Sequence, residues 1–372
     1  MVRMILEKLS IVNYKNIAQA EVVFSEKINC LLGNNGMGKT NILDSIYYLS
    51  FCKSHVHTPD TQVIRFGEDM CVLQGFYDFE GRTEELFCAI RNRQRKQFKR
   101  NKKEYDKLSE HIGLLPLVMI SPADSDLIQG GSEERRRFLD LIISQQDKNY
   151  LYALIQYNKA LAQRNALLKE QSHDYSLFEA LDIQLVRFGE YLFKKRTLLV
   201  EGLVPLFNRY HQQICESSEK VGLNYTSHLQ KDSLYECLQT NRERDMILGY
   251  TSCGIHKDDL EMTLGDALIR RIGSQGQRKT FLIALKLAQF SLLSREEGVT
   301  TPLLLLDDIF DKLDARRVAQ IIQLVSKENF GQIFITDTNR QYLDEIIRKI
   351  NHDYALFEVE DGVVTLKERA SV

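Results

Sequence analysis

At 372 residues the chain is long enough for two or so structural units. It is 44% hydrophobic and 27% charged, with a formal net charge of −2; this suits a soluble protein with a sizeable core and excludes a global basic field for nucleic acid, so any basic surface is local. Seven cysteines without a CxxC pair argue against a zinc site or a disulfide framework and for reduced thiols, and with no signal peptide, lipidation signal or apolar run near the roughly 18 residues of a membrane span, the expectation is a cytoplasmic protein with no membrane partner.

Short apolar runs at Ile5 to Ile11, Val22 to Phe24 and Ile28 to Leu32 predict three strands. The third ends in Gly33-Asn34-Asn35-Gly36-Met37-Gly38-Lys39-Thr40, and a helix is predicted from about Thr40 with Ile42, Leu43, Ile46, Tyr47 and Leu49 on one side. Alternation over residues 70–90 predicts further strands. Arg91 to Lys103 then carries eight basic residues and no acid. From Ser132, a potential helix cap followed by Glu133 and Glu134, the pattern is helical, with a turn at His173 to Ser176. Strand character returns after about Gly249, with buried strands expected at Leu303 to Leu306 and Ile333 to Thr336. The nucleotide domain is therefore expected to be split, residues 1–130 and 245–372 flanking a helical lobe at 131–244.

The residues from Gly33 to Thr40 match GxxxxGK[ST] between a strand and a helix, the context that a P-loop requires. Its glycines let backbone N–H groups converge on phosphate oxygens; Lys39 supplies a point charge at the β/γ-phosphates and the Thr40 hydroxyl ligates Mg²⁺. The expected ligand is ATP with Mg²⁺. Leu303 to Leu306 lead into Asp307 and Asp308: Asp307 is expected to hold Mg²⁺ at the strand tip, and Asp308 to orient or deprotonate the attacking water. Taken alone, such a strand is an ordinary core strand with a solvated acidic end.

Between these motifs lies Ser274-Gln275-Gly276-Gln277 at the start of a helix. Alone it is a helix cap; here it resembles the signature of the ABC-type ATPases, in which the signature of one subunit closes on the γ-phosphate held by another, a helix N-terminus being favourable for an anion. Asp311 to Asp314 resembles the following D-loop. Where that group carries a switch histidine, this chain has Asp337, flanked by Thr336 and Thr338.

Along nearly its whole length the sequence resembles the RecF family, related to the SMC group. The carrying residues are Asn13 to Asn16, the P-loop with Asn41 to Asp44, Lys53-Ser54-His55, Ser121 to Asp124, Gly130 to Ser132, Arg135 to Asp140, Gln163 to Asn165, Gly254 to Asp259, Gly273 to Arg278 and Leu303 to Phe310. The resemblance implies an α/β ABC-type ATPase lobe with a helical second lobe and no long coiled coil, nucleotide contacts at Gly33 to Asn41 and Ser274 to Gln277, and an ATP-driven homodimer that binds DNA. It implies recombinational repair and replication restart with RecR and RecO, loading RecA. Asp308 in place of the commoner Glu, and the missing switch histidine, imply slow hydrolysis. A transporter nucleotide-binding subunit is the alternative.

Within the basic run, Lys99, Arg100, Lys102 and Lys103 are candidates for DNA phosphates, with steep salt dependence; a solvated hairpin is the plainer reading. Arg135, Arg136 and Arg137 are either DNA contacts or salt-bridged, and His256 either senses the γ-phosphate or satisfies a core hydrogen bond.

Overall fold

A computed structural model describes residues 2–56, 58–215, 219–295, 300–310, 313–326, 330–338 and 353–370. The first passage runs β1 (Met4–Tyr14), β2 (Ile17–Val23), β3 (Ile28–Leu32), α1 (Lys39–Phe51), β4 (Met70–Phe79), β5 (Arg82–Arg91), β6 (Gln97–Arg100), β7 (Lys103–Glu104) and β8 (Leu117–Ile120). An insertion follows: α2 (Ser125–Gln129), α3 (Ser132–Gln146), α4 (Lys148–Lys169), α5 (Tyr175–Cys215), β9 (Val221–Thr226), α6 (Leu234–Thr240), α7 (Arg242–Leu248), β10 (Asp259–Leu264), β11 (Ala267–Leu268), α8 (Ile269–Ile272) and α9 (Gln275–Leu293). The chain returns through β12 (Leu303–Asp307), α10 (Ala315–Val325), β13 (Ile333–Asp337), β14 (Tyr354–Glu360) and β15 (Val363–Ala370).

Two compact units result. The first comprises Met1–Asp124, Gln213–Glu216 and Ile283–Val372; the second comprises Ser125–Gln212 and Ser217–Leu282. The first boundary falls close to the expected 130. Residues 245–282, expected in the first lobe, sit in the second unit instead, because β10 pairs antiparallel with β9 and Asp259 at its start is bridged by Arg135 of α3. The second unit is thus mainly helical but includes a three-stranded sheet in the order β11-β10-β9.

The first unit holds two six-stranded sheets, ordered β2-β1-β4-β5-β6-β7 and β15-β14-β3-β13-β12-β8. In the second sheet β14, β3, β13, β12 and β8 run parallel. All residues of β3, β8, β12 and β13 are buried, which is why they read as continuous apolar runs. α1 packs on strands of both sheets. It therefore buries not one face, as its apolar spacing predicts, but almost its whole surface, Asp44 and Ser45 included; a helix apolar nearly all round belongs in a core.

Ser132 does not cap α3: Gly131 occupies the cap position, and the Ser132 hydroxyl accepts from Arg136. Nor are all cysteines separate thiols, since Cys237 and Cys253 meet as a disulfide pair with Cα atoms 6.2 Å apart. Scattering in sequence hides a contact made by folding.

Candidate functional site

Parallel pairing brings the critical strand ends together. Thr336 on β13 is registered with Leu31 of β3 on one side and with Asp307 of β12 on the other. The loop after β3 and the carboxylates after β12 thus flank one central position, as expected at the C-terminal ends of parallel strands.

The loop is a backbone cradle. Gly33, Gly36 and Gly38 adopt φ values of 157°, 84° and 109°, and a Cβ at Gly33 would lie 2.2 Å from the Val359 carbonyl oxygen. Gly38 caps α1 without a side-chain hydrogen bond, and the first turn of the helix carries no acid. Its first N–H groups have no side-chain partner, so the positive end of the helix faces the loop. The Lys39 ammonium donates to the carbonyls of Gly33 and Asn34 at 2.6 and 2.8 Å. Burial pushes its pKa down, against the fields of Asp308, Asp307 and Asp337.

Opposite lies Asp307. Its Oδ1 accepts from the hydroxyls of Thr40 at 2.9 Å and Thr336 at 2.7 Å, while burial raises its pKa. The Thr336 hydroxyl also accepts the backbone N–H of Asp308 at 2.9 Å, and Asp308 adopts a left-handed φ of 48°. Thr336, fully buried, thus ties the two acidic residues together where the ABC-type group has its switch region. Asp337 is buried and Thr338 exposed. Gly-rich cradle, uncapped helix end, lysine and hydroxyl–carboxylate pair fit a nucleotide phosphate with a divalent cation.

Sequence reasoning missed two braces of the loop. Asn16 donates to the Gly36 carbonyl at 3.2 Å and accepts from Asn41 at 2.7 Å, so Asn41 holds the loop through Asn16. The β14–β15 turn clasps the other side, Gly362 N–H donating to the Met37 carbonyl at 2.9 Å. Asn16 is among the residues carrying the family resemblance; Gly362 had no signal. Asp44 is buried under Tyr14, Ser54 and the His55 N–H at 2.5 to 2.8 Å, with Lys15 at 2.6 Å. The Lys53–His55 segment thereby anchors α1.

The signature segment lies in the second unit. Ser274 and Gln277 form a reciprocal cap, Gln277 N–H donating to Ser274 Oγ and Ser274 N–H to Gln277 Oε1. Ser274 and Gln275 are exposed and Gly276 half-buried. The segment is thus a capped helix start facing solvent. Asp311 and Lys312 of the D-loop lie outside the described residues.

Several other candidates have partners within the chain. Arg137 pairs with Glu133 and Glu134, and Arg135 grips Asp259 with two hydrogen bonds. His256 is bonded on both ring nitrogens, to Tyr157 and to the Thr251 carbonyl, each at 2.9 Å; burial pushes its pKa down to about 4. The basic run forms the β6–β7 edge. Arg100 is held bidentately by Glu84, and Lys99 lies over the Phe87 ring. Lys102 and Lys103 are exposed.

A family model described as the RecF/RecN/SMC N-terminal domain matches residues 5–365. The DNA replication and repair protein RecF of Parabacteroides distasonis is 71% identical over 97% of this chain and 99% of its own length. A solved structure of the recombination mediator protein RecF-ATP in the RecFOR pathway superposes with a TM-score of 0.87, at 28% identity and 98% coverage of both chains. The Smc head domain of Pyrococcus furiosus shares the fold, with a TM-score of 0.60 at 16% identity over 99% of this chain and 96% of that one. The α/β head with a mainly helical second unit and, among the described residues, no long coiled coil is therefore the RecF/SMC ATPase architecture, and the transporter alternative has no support among these relatives. The chain belongs to the RecF family of DNA replication and repair proteins.

Proposed function

We propose that this protein is an ATP-dependent DNA-binding mediator of recombinational repair, in which ATP bound at Gly33 to Asn41 is completed by Ser274 to Gln277 of a second copy. The observation that carries the reading is the pairing of an uncapped, lysine-bearing phosphate cradle with the Thr40–Asp307 contact. In this reading Lys39 exchanges the carbonyls of Gly33 and Asn34 for phosphate oxygens. Thr40 and Asp307 hold Mg²⁺, which offsets phosphate charge. Asp308 accepts a proton from, or orients, the attacking water. With Asp one methylene shorter than Glu, and a threonine in the switch region, hydrolysis is slow and ATP acts as a dimerisation switch more than as fuel. DNA stimulation of that turnover, exposed basic contacts at Lys102 and Lys103 with lesser ones at Lys99 and Arg100, cytoplasmic residence, and work with RecR, RecO and RecA complete the proposal.

The test is sedimentation with ATP. The unaltered chain is expected to dimerise and the Asp308→Asn variant to form a persistent dimer without turnover. Lys39→Met and Ser274→Arg are each expected to stay monomeric, whereas an equimolar mixture retains one intact composite site and forms a weaker dimer. If each single variant dimerises with ATP like the parent, the composite site is wrong.

A further inference from the structure

We propose that Cys237, Cys253 and His228 form a site for a thiophilic divalent cation, zinc in the first place, when the two cysteines are reduced. The residues come from three segments of the second unit: the one-turn helix His228–Gln230, α6, and the turn after α7. The two sulfurs and an imidazole nitrogen all lie within 4.8 Å of one another. Zinc–sulfur bonds of about 2.3 Å and zinc–nitrogen bonds of about 2.0–2.1 Å in a tetrahedron place ligand atoms roughly 3.5–3.8 Å apart, a spacing that the two sulfurs reach by moving apart once their bond is reduced. The Cα separation of 6.2 Å is within the disulfide range, so the oxidised pair is a disulfide. A disulfide has no use for the histidine; a cation does.

Groups outside the cluster hold the backbone around each ligand. Ser227 and Gln230 form a capping box around His228, and Gln230 also donates to the Tyr225 carbonyl. Asn241 donates to the Cys237 carbonyl at 2.8 Å, with the same amide 3.8 Å from the Cys237 sulfur, a donor that favours a thiolate. Ahead of Cys253, Ser252 is held through its N–H and hydroxyl by Asp245, and Thr251 through its N–H by Asn165. Ligands fixed in this way lose little freedom on binding. His228 is exposed and Cys253 buried, which gives a cation a path from solvent. Cys52 and Cys71 differ: both are buried, with no comparable cluster among the described residues.

Binding balances simply. Each thiol loses one proton, the neutral imidazole gives its lone pair, two protons are released per ion, and water fills the fourth position. The ion would staple the His228 turn and α6 to the segment entering Gly254 to His256.

The experiment uses the full chain, reduced with a phosphine and stripped with chelator, then titrated with Zn²⁺ alone and with Co²⁺ alone. The expected result is one equivalent of either ion, a thiolate-to-cobalt charge-transfer band and protection of two thiols from alkylation. Cys253→Ser should abolish binding. His228→Ala changes an exposed residue; with circular dichroism unchanged, it should weaken affinity at least about tenfold, since losing even an outer-shell partner costs about 10–100-fold. Failure of the reduced chain to take up either ion, equal affinity in His228→Ala, or a pair that phosphine does not reduce would each overturn the site in favour of a plain disulfide. None of these outcomes bears on the ATP site, which the sedimentation test reads separately.

Discussion

Lys39 and Arg196 are both buried cations, and they are provided for in opposite ways. Arg196 donates to both oxygens of Asp140 at 2.9 and 3.0 Å, to Asp258 at 3.1 Å and to the Ile255 carbonyl at 2.9 Å. Burial works against its charge, yet Asp140 and its neighbours hold the pKa well above the usual value. Lys39 has two loop carbonyls and, among the described residues, no ion-paired carboxylate, and burial wins. One cation is saturated by its own chain; the other is left short of an anion. That difference separates a charge that holds the fold from a charge kept for a ligand, and neither burial nor residue type alone would reveal it.

The sharpest way to break the comparison is to delete each charge. Arg196→Met leaves Asp140 and Asp258 without their cation, and losing one partner of a buried pair costs about 3–5 kcal/mol. Lys39→Met removes a charge that the fold disfavours, so stability without nucleotide should hold or rise while nucleotide binding is lost. Hydrogen exchange, read separately in each unit, measures both, because a two-unit chain need not unfold in one step. Comparable loss of protection in the two variants would show that Lys39 is structural.

A second test separates the charged network from a neutral neighbour. Burial lowers His256, in the second unit, and His111, in the first, from the ordinary histidine value near 6.5 to about 4. The unfolded chain then binds more protons between those values, so stability is full above about pH 6.5 and falls as pH drops toward 4. At 1.36 kcal/mol per unit this is roughly 3 kcal/mol for each histidine. His256→Gln should remove the second unit's share of that loss in a pH series of denaturation. If the loss persists unchanged, His256 is not the group that makes the second unit acid-sensitive.

Legibility in sequence follows the same division. The glycine loop and the Asp307 strand were readable because their chemistry depends on neighbours within a few residues, and the strand–loop–helix order fixes their context. Arg196, Arg164 and His256 were not, since their partners lie far along the chain: Arg164, for instance, meets Asp182 and Asp245 across α4, α5 and α7, all fully buried. α1 was misread as one-sided because periodicity cannot show that two sheets enclose a helix. Thr336 was one of three neighbours in the switch region, and only the β12–β13 register singles it out.

Thr336 offers the smallest and most local test. Its hydroxyl donates to Asp307 and accepts the Asp308 N–H, so Thr336→Val leaves that N–H without its partner, at a cost of about 1–3 kcal/mol. It also removes the hydrogen bond that holds Asp308 in its left-handed conformation. ATP binding, which depends on the cradle and Lys39, should persist, while turnover falls about tenfold, a barrier change of about 1.4 kcal/mol. Thr336→Ser keeps the hydroxyl and should restore turnover. A merely structural threonine would give the same loss of stability with turnover unchanged in single-turnover assays, and Asp308 would then be aligned by its own backbone rather than by β13.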